Sequence, residues 1–481
     1  MQRRTKIVAT LGPSTDDPKV LDDMIQAGVD VVRVNFSHGS HEEHMRRAEQ
    51  VRNRARACGR QVGVFADLQG PKIRIDKFKD GKIHLVEGER FVLDASLDPD
   101  AGTKERVGLA YKQLPQDVNR GDTLLLDDGA VVLWVEEVKG MEIDCRVVVG
   151  GELSNNKGIN RQGGGLSAQA ITDKDRADIK FAAEMQADYV AVSFPRSADD
   201  IHEARELLRQ AGGHGGIVAK IERAEAMDAL EDIIAATDVV MIARGDLGVE
   251  IGDAELPAVQ KRIIKVARTM DRVVITATQM MQSMIENPIP TRAEVFDVAN
   301  AVIDGTDAVM LSAETATGKH VAKVIEAMDR ICRGAERQRI DMGFERRSKV
   351  RFKRIDEAIA KAAMYTANHL GVKAIAALTE SGATPLWMSR ISSGIPIYAL
   401  TRHVETRRKV TLYRGVYPVS FDVTTTDHPQ VNREVIDELV RRGAVRDGDL
   451  VIITKGDLAG VLGGTNAMKI IRVGEHVLNV E

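Results

Sequence analysis

Lys220 and Glu222 stand two residues apart in GIVAKIERAE, and Asp246 follows in VMIARGDLGVE. One ammonium and two carboxylates suit phosphoryl transfer, in which a protein mainly neutralises oxygens and holds donor and acceptor in line. Glu222 and Asp246 are the hard oxygen donors that Mg²⁺ accepts, an ion that keeps several waters and needs few protein ligands. Lys220 adds a point charge, and Arg33 in VVRVNFSHG offers a planar fork that matches phosphate oxygens. Gly245 in ARGDLG marks a turn into a helix start, where backbone N–H groups favour an anion. Each feature alone has a plainer reading. Lys220 and Glu222 make a rim salt bridge, ARGDLG a capped turn, and Arg33, Asn35 and Ser37 a self-satisfied loop. Their convergence on the ends of successive apolar runs favours one site.

Residues two apart in a strand face the same side, so a strand end presents two groups together. Eight short apolar runs provide for this, at residues 6–12, 29–39, 62–68, 187–195, 216–222, 239–248, 272–280 and 308–315. A helical stretch with a capping residue follows each, as with Ser40 before HEEHMRRAEQVRNRA and Thr172 before DKDRADIKFAAEM. Eight βα units predict an α/β fold, the (β/α)8 TIM barrel, whose active site lies at the C-terminal strand ends. There the second run carries Arg33, Asn35 and Ser37, the fifth Lys220 and Glu222, the seventh Thr276 and Thr278, and the eighth Ser312 and Glu314.

After the third run the rhythm breaks. Glycine-punctuated strands such as KIRIDKF, DTLLLDDGAVVLWVEEV and EIDCRVVVGG replace helical periodicity. The resulting division is a barrel domain over 1–69 and 166–345, an inserted all-β lid domain over 70–165, and a C-terminal α/β domain over 346–481. An insertion at that point rises from the catalytic rim and is expected to close over substrate. Strands are expected in VKAIAAL, PIYALT, VYPVSF and DLVIIT of the C-terminal domain.

A formal net charge of -4 with 29% charged residues leaves no nucleic-acid footprint, and with only 4% aromatics there is no stacking platform for single strands. Cys58, Cys145 and Cys332 are widely spaced and odd in number, which fits a reducing cytoplasm and no disulfide framework. The first apolar run is too short for a signal-peptide core, and no run reaches membrane-spanning length. His38, His41 and His44 lack the HExxH spacing of a zinc site and are expected on a solvated helix start. LAGVLGGTN lacks the Lys-Ser/Thr of a P-loop, and Met280, Met281 and Met284 read as core filling.

VVRVNFSHG, ADLQGPKIRI, GIVAKIERAEAM, VMIARGDLGVE, TATQMMQSM, PTRAEVFDVANAV and MLSAETATGKHV, in this order, closely resemble the pyruvate kinase family. The resemblance spans nearly the whole chain. It implies a barrel, a lid and a regulatory C-terminal domain in a cytoplasmic homotetramer. Phosphoenolpyruvate would pass its phosphoryl group to Mg-ADP (or Mn-ADP), giving pyruvate and ATP in glycolysis. By similarity, Lys220 stabilises the phosphoryl group in transfer, Glu222 and Asp246 hold the metal, and Arg33 contacts the substrate phosphate. Ala243, Arg244, Gly245, Asp246 and Thr278 match the region around the substrate carboxylate and enolate. Asn35, Phe36, Ser37, His38, Arg74 and Lys157 match nucleotide contacts, and Ser312 and Glu314 resemble members of a proton relay to the enolate.

The resemblance departs from the potassium-requiring members at Leu68 and Lys72, where those carry Thr and Glu. A lysine ammonium there is expected to replace K⁺, with Asn35, Ser37 and Asp67 as its partners. LTESGATPLWMSR resembles the family's effector loop, with Thr379, Ser381, Gly382 and Thr384 around a phosphate, although a plain turn into a helix is the alternative. The loop KGDLAGVLGG lacks the tryptophan and arginine of many fructose-bisphosphate-regulated members, so a sugar monophosphate or AMP is expected as activator. Two competing readings remain, carbon–carbon bond chemistry at a pyruvate enolate and a catalytically dead sugar-phosphate sensor. The lid and Arg74 weigh against the first, and the set Lys220, Glu222, Asp246 and Thr278 against the second.

Overall fold

Barrel helices start where the sequence supplies a side-chain acceptor. Ser40, Thr172, Ser197 and Thr291 each accept a backbone N–H of the first helical turn, and an acidic residue three positions on returns the bond to the cap. The computed structural model describes residues 2–71, 73–337, 352–423, 428–457 and 463–475. Eight parallel strands, Lys6–Thr10, Val31–Asn35, Gly63–Asp67, Tyr189–Val192, Gly216–Ile221, Val239–Ala243, Val273–Ala277 and Ala308–Leu311, close into a barrel in sequence order. All eight lie within the expected apolar runs. Alternate residues such as Ile7, Val32 and Val274 pack against the helices, while Val8, Val31, Phe65, Val218 and Ile275 line the barrel interior in a separate cluster that continues into the C-terminal domain through residues such as Met364 and Ile397.

The insertion leaves after the third strand, at the C-terminal rim. Its six-stranded sheet, with Arg106–Gly108 and Ile159–Arg161 at the two edges, covers a core of its own that includes Phe91, Leu133 and Cys145. KIRIDKF, read as a strand, forms only isolated bridges from Arg74, Ile75 and Phe78 to Gly158, Leu109 and Gly102. Three different neighbours in succession leave no room for a ladder in this segment between domains.

The C-terminal domain contains a five-stranded sheet in the order Val416–Ser420, Ile397–Thr401, Ala374–Leu378, Leu450–Lys455, Ala467–Arg472. Four of these strands match the sequence expectation. The fifth, AMKIIR, is an antiparallel edge strand that follows a glycine-rich loop and carries no run long enough to announce it. The domain packs beneath the barrel, where Arg408 Nε meets Asp188 at 2.9 Å, Arg390 Nη1 meets Asp307 at 2.9 Å, and Tyr189 OH donates to the Lys409 carbonyl. The opposite end is left to the lid.

One of the three neighbouring histidines differs from the solvated reading. His44 is buried against Phe36, whereas His38 and His41 are exposed, His41 stacking on Phe181 with Nε2 2.8 Å from Asp178. Met280, Met281 and Met284 are fully buried. Among the described residues no helix is long and apolar enough to cross a membrane.

Candidate active site

Strand parity aims the polar groups. Val31, Phe65, Ala191 and Val218 lie in the cluster inside the barrel, and two residues later in each strand come Arg33, Asp67, Ser193 and Lys220. These four meet at the rim. The Lys220 ammonium donates to Ser193 Oγ at 2.7 Å and pairs with Glu222 Oε1 at 2.9 Å and Asp67 Oδ1 at 3.3 Å. Arg33 donates to Asp67 Oδ2 at 2.6 Å and to Thr10 Oγ1 at 3.2 Å. Glu222 Oε2 accepts the Phe194 N–H at 2.8 Å.

Charge is unevenly shared in this cluster. Burial opposes the Asp67 carboxylate, but Lys220 and Arg33 outweigh it and hold the group below its usual range. Burial likewise opposes the Lys220 ammonium, and Asp67 and Glu222 together hold it above the ordinary lysine value. Glu222 has only a share of that lysine. Burial pushes its carboxyl up to about 7, with Lys220 opposing and Asp246 adding to the rise. Asp246 is raised as well, first by burial, with Lys220 opposing and Asp128 and Glu250 adding to the rise. A buried and a half-buried carboxylate short of positive charge are the donor set that a hard divalent cation satisfies, so these residues fit Mg²⁺.

The sixth and seventh strand ends are locked together. Ala243 closes its strand, and Arg244–Ile251 begins a helix at once. The Arg244 guanidinium makes two 2.7 Å bonds to Asp297 and one of 2.8 Å to the Thr278 carbonyl. Its side chain therefore fixes the loops, and what faces the rim is the start of the helix. Gly245 donates its N–H to Thr278 Oγ1 at 2.8 Å. Thr276 shares parity with outward-facing Val274 and bonds Thr306 Oγ1, so parity alone would turn Thr278 outward too. The left-handed backbone at Thr278 and Gln279, with φ of 69° and 52°, swings it back to the rim.

A cleft of about 350 Å³ between rim and lid is lined by Arg74, Lys157, Phe194, Arg223, Asp246 and Glu250 among others. Lys157 Nζ pairs with Asp127 at 2.8 Å. The family model described as "Pyruvate kinase, barrel domain" matches residues 2–325, and "Pyruvate kinase, alpha/beta domain" matches 357–471. This chain belongs to the pyruvate kinase family. It is 56% identical to "Pyruvate kinase II" of Salmonella typhimurium over 98% of this chain and 99% of that one. It is 55% identical to "Pyruvate kinase" of Haemophilus influenzae over 94% and 96% of the two chains, and 54% to "Pyruvate kinase" of Buchnera aphidicola from Acyrthosiphon pisum over 98% and 99%. The chain is a phosphotransferase of pyruvate kinase type.

Among the residues matched to family motifs, Arg33, Asp67, Lys220, Glu222, Asp246 and Thr278 gather at one rim, with Arg74 and Lys157 across the cleft. Asn35 Oδ1 accepts the Ser37 N–H at 3.1 Å, Phe36 is buried against His44 and Phe181, and His38 is exposed. Leu68 is buried, and its carbonyl accepts Ser193 Oγ. Lys72 lies outside the described residues. Ser312 follows the eighth strand directly as the N-cap residue of the short helix Ala313–Ala316, and Glu314 sits in that helix, so the two do not share a strand face. Glu314 is buried and accepts the N–H groups of Ser312 and Met281, joining the last two loops.

The proposed effector residues stand apart from this rim. Thr379 Oγ1 accepts the Gly382 N–H at 2.9 Å, Gly382 is left-handed with φ 81°, and Thr384 Oγ1 lies 3.0 Å from Thr465 Oγ1. Residues 458–462 of the following glycine-rich loop lie outside the described residues. Sequence reasoning assigns nothing to the fourth strand end, which supplies Ser193 and Phe194. The parity of ADYVAVSFP placed Ser193 inward, a signal available from the sequence.

Proposed function

We propose that this chain transfers the phosphoryl group of phosphoenolpyruvate to ADP, and that Lys220, Glu222 and Asp246 carry the reaction. The observation that carries this reading is the Lys220 ammonium held 2.9 Å from a buried Glu222 short of positive charge. Mg²⁺ (or Mn²⁺) on Glu222 and Asp246 would neutralise substrate oxygens. Lys220 and the outer nitrogens of Arg33 hold oxygens of the phosphoryl group as it leaves. The bond from phosphorus to the enol oxygen breaks, a bond to a terminal β-phosphate oxygen of ADP forms, and the enolate takes a proton on its methylene carbon. The helix start at Gly245 and Asp246 and the Thr278 hydroxyl orient the carboxylate and enolate, while Arg74, Lys157 and residues 35–38 receive the nucleotide. Ser312, with its loop held by Glu314, belongs to the path that delivers the proton. A coupled assay for ADP-dependent pyruvate formation tests the whole reading, and no pyruvate above the enzyme-free control would end it.

Turnover without K⁺ is part of this proposal. The support is Lys72 in GPKIR, with Asp67 on the preceding strand paired to Arg33 and Lys220. At constant ionic strength, replacing a tetraalkylammonium salt by KCl is expected to leave the rate unchanged, and a severalfold rise would refute it.

A phosphorylated small molecule, a sugar monophosphate or AMP, is proposed as activator at Thr379, Ser381, Gly382 and Thr384. It is expected to lower the half-saturating phosphoenolpyruvate concentration, and an unchanged value across both ligand types would remove it. A cytoplasmic homotetramer completes the proposal, on the family resemblance.

A further inference from the structure

Arg223 follows Glu222 directly, yet family resemblance gives it no role. It is only 2% exposed. Its Nη1 donates to the Leu166 carbonyl at 3.2 Å, in the irregular segment by which the chain returns from the lid. Its guanidinium lies over the Phe194 ring, 5.4 Å from the centroid. Its Nη2 is buried without a hydrogen-bond partner. A buried guanidinium with one unmet donor is costly, so its position must be held by what surrounds it.

The surroundings form a continuous path. Gly163, Gly164 and Gly165 are all left-handed, with φ of 82°, 80° and 90°, and turn the chain just before Leu166. Barrel-rim residues hold that turn. Glu225 accepts the Gly165 N–H, and the Glu250 carbonyl accepts the Gly163 N–H at 3.1 Å. Glu250 also accepts the Ala224 N–H at 2.8 Å and lies one helical turn from Asp246. On the other side of Arg223, Phe194 adopts a φ of 55°, a conformation a bulky residue does not take without restraint. In that conformation its N–H bonds Glu222 Oε2 at 2.8 Å.

We propose that Arg223 is a positioning residue that couples lid position to the orientation of the Glu222 carboxylate, through Leu166 on one side and Phe194 on the other. The inference rests on the assignment of Glu222 as a metal ligand. Moving the segment around Leu166 moves the guanidinium, the guanidinium restrains the Phe194 ring, and Phe194 aims Glu222 Oε2.

Mn²⁺ binding measured by electron paramagnetic resonance on the full chain, without substrate, tests this alongside hydrogen exchange and thermal unfolding. Arg223→Met is expected to weaken Mn²⁺ binding about 10-fold, as loss of a group that orients a metal ligand does. Amides 163–166 should exchange faster in the same variant. Arg223→Lys, which keeps a cation for the ring, should recover part of the affinity. Phe194→Leu keeps the tie to Leu166 and removes the ring, so it should weaken Mn²⁺ binding while amides 163–166 stay protected. A folded Arg223→Met or Phe194→Leu with wild-type Mn²⁺ affinity, in a protein whose affinity is lost in Glu222→Gln, overturns the coupling alone. Unchanged binding in Glu222→Gln would take down the metal assignment and the coupling with it.

Discussion

Replacing Lys220 by methionine is expected to lower kcat by about 10³-fold, the scale set by removing a preorganised charge from a dry site. The half-saturating phosphoenolpyruvate concentration should move far less, because Arg33, Gly245 and Thr278 still hold the ground state. The loss falls on kcat since charge on the phosphoryl oxygens is redistributed only as the bond breaks. Methionine matches the length of the lysine stem but leaves Asp67 and Glu222 without their shared ammonium, now 3.3 Å and 2.9 Å away. Breaking a buried pair costs about 3–5 kcal/mol of folding stability, so unfolding midpoints must accompany the kinetics. Arg33 still covers Asp67 through Oδ2, which limits the damage. Lys220→Arg keeps the charge and should restore stability more fully than rate, since a forked guanidinium does not sit where a compact ammonium does. A folded Lys220→Met enzyme with most of the wild-type kcat would contradict the role given to this residue.

Glu222→Gln is expected to weaken Mn²⁺ binding by at least about 100-fold and to reduce turnover in step. The amide preserves shape but has one acceptor oxygen for the two donors that Glu222 now serves, the Lys220 ammonium and the Phe194 N–H, so the change removes the charge and one of these two contacts. Asp246 alone then offers one carboxylate, and the ammonium of Lys220, no longer shared with Glu222, draws closer to Asp67. Excess Mn²⁺ should recover part of the rate, since the deficit is one of affinity. Titration by electron paramagnetic resonance separates this from a folding defect. An affinity within twofold of the wild type would place the metal elsewhere.

Much of the site is legible without coordinates because its chemistry resides in side-chain type and its placement in local parity. Lys220 after Val218, Arg33 after Val31 and Asp67 after Phe65 each needed only an alternating strand to face inward. Parity failed where the strand stopped. Glu314 belongs to a helical turn, and Thr278 reaches the rim through a left-handed backbone that no threonine announces. Arg244, matched to substrate by motif, spends its guanidinium on Asp297, a partner 53 positions away.

The eight βα units, the lid insertion after the third, the C-terminal domain and the charged residues available at the strand ends are all written locally in the chain. They are set by hydrophobic period, capping side chains and residue type. How charge is shared emerges only with folding. Asp67, expected as part of a potassium-like site, proved to be the partner of both Arg33 and Lys220, and that left Glu222 short of positive charge beside Asp246. Such contacts join strands that meet across the barrel interior, so they depend on closure and burial, which no segment of the chain contains alone. The same holds for Arg223, whose place between Leu166 and Phe194 exists only once the lid has folded back onto the rim.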